Sequence, residues 1–204
     1  MAALKLRFCD EFEGGFGWIA DEFMQRCSHA LVVDGRVWLI DALDGDVVEE
    51  RIRAAGTPAG VVQLLDRHNR SCATLAARLG VRHHLVPHGS LGPFACIDVK
   101  DSRSWKEVAL WWPDRHVLVC ADVLGTAPYF RAGNDRLAVH PLLRLRPPRR
   151  QLGELRSDVV LCGHGEGVLE DADAALSEAL STSRRRIPGQ AASALRAWRA
   201  SRPS

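Results

Sequence analysis

An Asp34-Gly35 pair stands between two apolar runs, Ser28-His29-Ala30-Leu31-Val32-Val33 and Val37-Trp38-Leu39-Ile40-Asp41. Asp-Gly is a strong signal for a two-residue hairpin turn, because both positions accept positive φ. The chain therefore commits early to an antiparallel pair, and an all-helical fold is excluded. Beyond residue 41, helical and strand patterns alternate. Residues 46–55 place Val47, Val48, Ile52 and Ala55 at helical spacing. Residues 59–65 form a short, mostly apolar run of the kind found in a strand buried on both faces. The polar stretch 66–71 is a loop, and 72–79 reads as a helix stopped by Gly80. Strand, polar loop and helix in that order commonly build a site at the strand's C-terminal end.

The second half adds candidate strands over 94–99, 108–112 and 117–121, the last two joined by the Pro113-Asp114-Arg115 turn. A further strand over 159–162 runs into Gly163-His164-Gly165. Residues 170–183 read as a helix with acids in its first turn and Arg184 to Arg186 beyond its end, which suits the helix dipole. Ile187-Pro188-Gly189-Gln190 is expected to break it before a short last helix over 191–200. This divides the chain into one domain over 1–186 and a basic helix and tail over 187–204. From 184 to 204 there are six arginines and no acid, a pattern more typical of a solvated terminus than of a binding arm.

Composition limits the partners. With 204 residues, 47% hydrophobic and 25% charged, the chain is that of one globular domain. A net charge of +2 argues against nucleic acid as the general partner. No apolar run approaches the ~18 residues of a membrane span, and no signal peptide is visible at the start. A cytoplasmic protein acting on a small molecule is expected, with its oligomeric state left open.

The six cysteines, Cys9, Cys27, Cys72, Cys96, Cys120 and Cys162, are scattered and form no CxxC pair. Buried free thiols are their default reading. Three chemistry-bearing residues nevertheless fall at or beside strand ends: Cys72 after the polar loop, Asp122 after Val119-Cys120-Ala121, and His164 between two glycines. They offer sulfur, oxygen and nitrogen, the ligand types that Zn²⁺ accepts. Cys120 and Cys162 precede two of them by two residues and share a strand face with them, either lining a pocket or packing two strands together. His83, His84 and His88 read as loop histidines. Trp111-Trp112 sends one indole to each side of a sheet. The run Arg144 to Arg150 holds four guanidiniums that either grip an anion or lie in a solvated loop.

These elements together resemble the metallo-β-lactamase superfamily, in the hydrolase branch that includes the glyoxalases. Val32 to Asp41 looks like the family's opening hairpin with its closing Ile-Asp. Leu64 to Val81 sits where the family has strand, His-x-His-x-Asp-His loop and helix. Val117 to Gly125 is similar to the strand whose Asp bridges two metals, and Leu161 to Gly165 resembles the Gly-His-Gly that carries the last metal histidine. The resemblance implies an α/β fold, an αββα sandwich of two mixed sheets with outer helices. Strands near 28–41 are then expected in one sheet and 108–121 in the other.

The departures limit the chemistry. One alignment of the loop puts Arg67, Asn69, Ser71 and Cys72 at the four ligand positions, and the middle histidine is replaced near Arg103. Cys72, Asp122 and His164 then remain as one three-ligand site. A one-residue slip instead brings Asp66 and His68 to the first two ligand positions. The pattern admits two functions. In one, a hydrolase holds at most one Zn²⁺, with Asp66 or His68 taking a proton and Arg67 or Arg70 stabilising an oxyanion. In the other, a metal-free relative uses the same cleft for binding or scaffolding.

Overall fold

The computed structural model describes residues 4–68 and 70–200. Asn69 and residues 201–204, the end of the basic tail, lie outside the described residues. The hairpin comes from β3 (Cys27–Val33) and β4 (Arg36–Ile40), which pair antiparallel around Asp34 and Gly35, both at positive φ. Two strands precede it, β1 (Leu6–Phe12) and β2 (Gly15–Ala20). After it, α1 (Asp46–Ala55) leads to β5 (Thr57–Gln63), and α2 (Cys72–Leu79) leads to β6 (His83–Leu85). Gly80 ends α2 in the left-handed conformation. These strands form one six-stranded sheet in the order β1-β2-β3-β4-β5-β6, antiparallel up to β4 and parallel beyond it. The helices α1 and α2 are the crossovers that parallel pairing needs.

The second sheet is built from β7 (Gly89–Leu91), β8 (Phe94–Ser102), β9 (Trp105–Trp112), β10 (Val117–Cys120) and a later strand, β13. A short pair, β11 (Leu124–Gly125) and β12 (Ala138–Val139), precedes α3 (Arg149–Leu152), β13 (Val159–Cys162), α4 (Ala172–Thr182) and α5 (Ile187–Ala200). The order is β13-β10-β9-β8-β7, with β10 and β13 parallel. Strands from 28–41 and from 108–121 thus lie in different sheets.

Apolar residues of the two inner faces, among them Leu31, Ile40, Val62, Phe94, Leu110 and Leu118, pack into one core. The outer face of the first sheet is covered by Val48 and Ile52 of α1 and Leu75 and Ala76 of α2, packed on Leu39 and Val61. The second sheet is covered by α4, through Ala175, Leu176, Ala179 and Leu180. The result is the four-layer αββα sandwich, and about 25 cal/mol per Å² of buried apolar surface holds its layers together.

Several local expectations change. Ile187-Pro188-Gly189-Gln190 starts α5 rather than breaking a helix, because a proline in the first helical turn loses no intrahelical hydrogen bond. His83 and His84 belong to the edge strand β6, while His88 lies on the surface 2.8 Å from Asp98. Arg144 is buried and donates to the Phe130 and Ser183 carbonyls, and Arg149 donates to those of Leu180 and Ser181. Those two guanidiniums tie chain segments to the end of α4. Trp112 faces the core, and Trp111 stacks on His116. Among the described residues, no helix is long and apolar enough to cross a membrane.

Candidate metal centre

At one end of the sandwich the two sheets are joined by backbone hydrogen bonds. Beyond β5, Val108 N–H donates to the Leu64 carbonyl at 3.0 Å and Asp66 N–H to that of Lys106 at 3.0 Å. Beyond β13, Cys27 N–H donates to Gly163 at 2.9 Å and Gly165 N–H to Gln25 at 2.9 Å. The loop after β5, the turn after β10 and the turn after β13 therefore meet. The glycines flanking His164 are needed there: a Cβ at Gly163 would lie 2.6 Å from the Ala121 carbonyl, and Gly165 has φ +84.

Three side chains converge at this meeting point. Donor atoms of His68, Asp122 and His164 all lie within 4.8 Å of one another. Asp122 Oδ1 is 2.9 Å from His68 Nε2 and 3.1 Å from His164 Nε2. Each ring is oriented from its other nitrogen. His68 Nδ1 donates to Asp41 Oδ2 at 3.1 Å, and His164 Nδ1 donates to the Met24 carbonyl at 2.8 Å. This is how metal-ligating histidines are held, with Nε2 aimed at the ion and Nδ1 on an acceptor.

The electrostatics are those of a compressed charge cluster. Burial pushes the Asp122 carboxyl up, but hydrogen bonds from His164 and His68 and their charges outweigh it and hold it far below the carboxylate range. Burial and the Arg70 charge pull His68 down, while Asp41 and Asp122 more than offset them, so its net shift is upward. Behind the cluster lies Glu107. Its Oε1 accepts the backbone N–H groups of Ala121, Asp122 and Val123 at 3.1, 2.8 and 3.0 Å, and its Oε2 accepts Trp105 Nε1 at 2.8 Å. Burial, then the Asp122 charge, pushes Glu107 up to about 7.

The remaining candidate residues take other positions. Arg67 lies over the Trp105 ring at 4.1 Å and reaches Asp122 Oδ2 at 3.4 Å. Arg70 is committed to backbone, donating to the carbonyls of Cys27, Asp41 and Gly163. Asp66 turns away and accepts the Lys106 N–H at 3.2 Å. Cys72 is not brought to the cluster; it packs in the core under α2, its thiol directed to the Ala42 carbonyl and pushed up to about 12 by burial. The first turn of α2 points that side chain into the core rather than back toward the loop. Cys120 and Cys162 pair across β10 and β13 and are wholly buried in the core. Of the two residues that the slipped register brings to ligand positions, His68 meets both Asp122 and His164, and Asp66 does not.

Asp41 and Glu107 are supporting residues that residue type alone does not single out. Asp41 carries a signal, as the polar end of an apolar strand, and Glu107 a fainter one, as a lone acid in Trp105-Lys106-Glu107-Val108-Ala109. The donor set of two imidazoles and a carboxylate suits one Zn²⁺ with an open fourth position. A second ion would have to share Asp122 with the Arg67 guanidinium.

No family model matches the chain, and no curated protein does. Solved structures do. The chain is similar to the DIM-1 metallo-β-lactamase exposed to ceftazidime, with 12% identity, TM-score 0.59, and coverage of 89% of this chain and 100% of that one. It is similar to a putative diflavin flavoprotein A 5 fragment from Nostoc sp. PCC 7120, with 10% identity, TM-score 0.61, and 94% and 99% coverage. A metallo-β-lactamase from Hirschia baltica matches at 8% identity, TM-score 0.60, and 87% and 97% coverage. Sheet order, layer arrangement and these likenesses agree: the chain has the metallo-β-lactamase fold.

Proposed function

We propose that the protein is a hydrolase whose centre is reduced to one divalent metal ion, held by His68, Asp122 and His164. The observation that carries this reading is the orientation of the two imidazoles. Both have Nδ1 fixed on an acceptor and Nε2 aimed at a common point beside Asp122. A bound Zn²⁺ would supply Lewis-acid activation of water and of a carbonyl group. The chain's own residues do the rest. Asp41 sets the tautomer of His68, Glu107 fixes the backbone that presents Asp122, and Phe130 and Tyr129 wall the His164 side. Arg67, stacked on Trp105 and 43% exposed, is placed to meet negative charge developing on an ester or thioester.

One observation favours a metal-free binding or scaffolding role. The cluster is already satisfied internally, with Arg67 on Asp122 Oδ2, and His68, Asp122 and His164 are 9%, 9% and 5% exposed. Elemental analysis of protein purified without chelator separates the two, together with ester and thioester hydrolysis by wild type and Asp122→Ala. About one metal per chain at this centre, with turnover lost in the variant, supports the hydrolase. No metal after zinc loading, or turnover unchanged in Asp122→Ala, sinks it.

A further inference from the structure

A second set of soft donors lies apart from the centre just described, on the first sheet. The register sets it up: Cys9 of β1 pairs with Gly17 of β2, and Gly17 pairs with His29 of β3, so the three positions form one row across the sheet. Cys27, two residues before His29 on β3, shares its face. Asp10 sits where the β1–β2 register shifts, at φ 52, and this backbone irregularity turns its carboxylate onto the same face. Gly17 makes the convergence feasible. A Cβ there would meet Asp10 Oδ2, Cys9 Sγ and His29 Cδ2 at 3.0, 3.1 and 3.1 Å.

The distances are those of a coordination shell. Cys9 Sγ and Cys27 Sγ are 3.6 Å apart, too far for a disulfide. Cys27 Sγ is 3.6 Å from Asp10 Oδ2 and 3.5 Å from His29 Nε2, and these last two atoms are 3.1 Å apart. Sulfur, nitrogen and oxygen ligands at tetrahedral Zn²⁺ stand about 3.3–3.8 Å from one another. The donor atoms of Cys9, Asp10 and Cys27 lie within 4.8 Å of one another, and His29 joins them through Asp10 and Cys27. Asp10 uses its other oxygen to accept the Gly167 N–H at 2.8 Å, which aims Oδ2 inward.

We infer that Cys9, Asp10 and Cys27, with His29 against Asp10 and Cys27, form a second, structural metal site that takes a thiophilic divalent cation, Zn²⁺ in the first place.

A nucleophilic role for Cys27 does not fit. Asp10 and Cys27 both face Nε2 of His29, whereas a relay needs the acid on the opposite nitrogen. Burial also pushes the Cys27 thiol well up, so it is no thiolate until a metal displaces its proton. Two thiol protons leave as the ion enters, and two thiolates with one carboxylate leave a net charge of −1 around Zn²⁺. Arg7 and Arg70, whose charges reach these cysteines, offset it. Entry is through Asp10, which lines an open cleft of about 590 Å³ with Arg7, Glu166 and Gly167. An ion here would clamp β1 and β3 together and, through Asp10 and Gly167, to the chain after β13, the segment that also presents His164.

Cobalt titration of the reduced full-length protein tests this, because only thiolate ligation gives an intense near-ultraviolet sulfur-to-cobalt charge-transfer band. The His68/Asp122/His164 centre has no sulfur, so the band reports the second site alone. The expected result is a band that saturates near one equivalent, is bleached by Zn²⁺, and disappears in Cys27→Ser and Cys9→Ser. It should persist in Asp122→Ala/His164→Ala, which dismantles the other centre. That variant keeps the test decisive if the serine variants fail to fold. Absence of the band in folded wild type, its loss in Asp122→Ala/His164→Ala with the fold retained, or its survival in a folded Cys27→Ser, overturns the proposal.

Discussion

Glu107 Oε1 accepts the Asp122 backbone N–H at 2.8 Å while also accepting those of Ala121 and Val123. One buried carboxylate oxygen thus fixes three successive amides, and with them the direction in which Asp122 leaves β10. Glu107→Gln keeps an acceptor for the three amides but turns an N–H₂ group toward Trp105 Nε1, donor against donor. A loss of about 1–3 kcal/mol in folding stability is expected. Chemical denaturation measures it, and a change under about 0.5 kcal/mol, the ordinary range for a surface substitution, would mean that Glu107 does not hold this turn.

Asp41 accepts from His68 Nδ1 with Oδ2 and from Leu64 N–H with Oδ1. It joins the orientation of the ligand to the strand end that carries it. Asp41→Asn retains an oxygen for Leu64 but weakens the acceptor facing His68. Metal affinity at the His68/Asp122/His164 centre should fall by roughly 10- to 100-fold, read by competition against a chromogenic chelator. Unchanged affinity in a folded variant would detach Asp41 from any role at the metal.

Much of this architecture is legible in the sequence because it depends on local signals. Asp34-Gly35 marks the hairpin, helical spacing marks α1, and Gly80 ends α2, all through chemistry within a few residues. Asp122 and His164 are legible as polar residues at strand ends. Cys72 has the position of a ligand along the chain but not its direction, which is set by the first turn of α2 packing into the core, a tertiary fact. The strands β1 and β2 escape a pattern-based reading because their charges, glycines and a register shift blur the period of two. The Cys9, Asp10, Cys27 and His29 cluster has no motif at all. Its donors come from β1 and β3, and only the pairing of both with β2 brings them into one row.

Arg67 sets the charge beside the centre. Arg67→Met keeps an unbranched stem over Trp105 and removes the cation 3.4 Å from Asp122 Oδ2. Metal affinity should rise, by no more than about tenfold because the guanidinium is 43% exposed and screened. Folding stability should shift by under about 1 kcal/mol. If affinity falls instead, Arg67 organises the carboxylate rather than competing for it.

The metal-free protein should lose stability as the pH rises from about 5 to about 9, and two groups set the sign. His68 has its folded pKa raised above 6.5, so its contribution is complete below that value and is lost as the pH climbs through the folded one. Glu107, raised from 4.5 to about 7, is protonated in the fold and ionised in the unfolded chain between those values, so it acts in the same direction. The lowered carboxyls of Asp10, Asp41 and Asp122 act oppositely, contributing stability above their ordinary pKa and losing it as the pH falls through the acid range. Maximum stability is therefore expected near pH 5, above the acid losses and below most of the Glu107 loss, with a decline on the order of 2 to 3 kcal/mol by about pH 9. Thermal melting with chelator present measures this profile. Added Zn²⁺ should raise the midpoint most at the alkaline end, where protons no longer compete for His68. In Glu107→Gln, which does not titrate, the part of the decline below about pH 7 should be lost, leaving that of His68. A midpoint that is flat or rising from about pH 5 to about pH 9 in chelated wild type would show that neither group is perturbed in the direction its surroundings require.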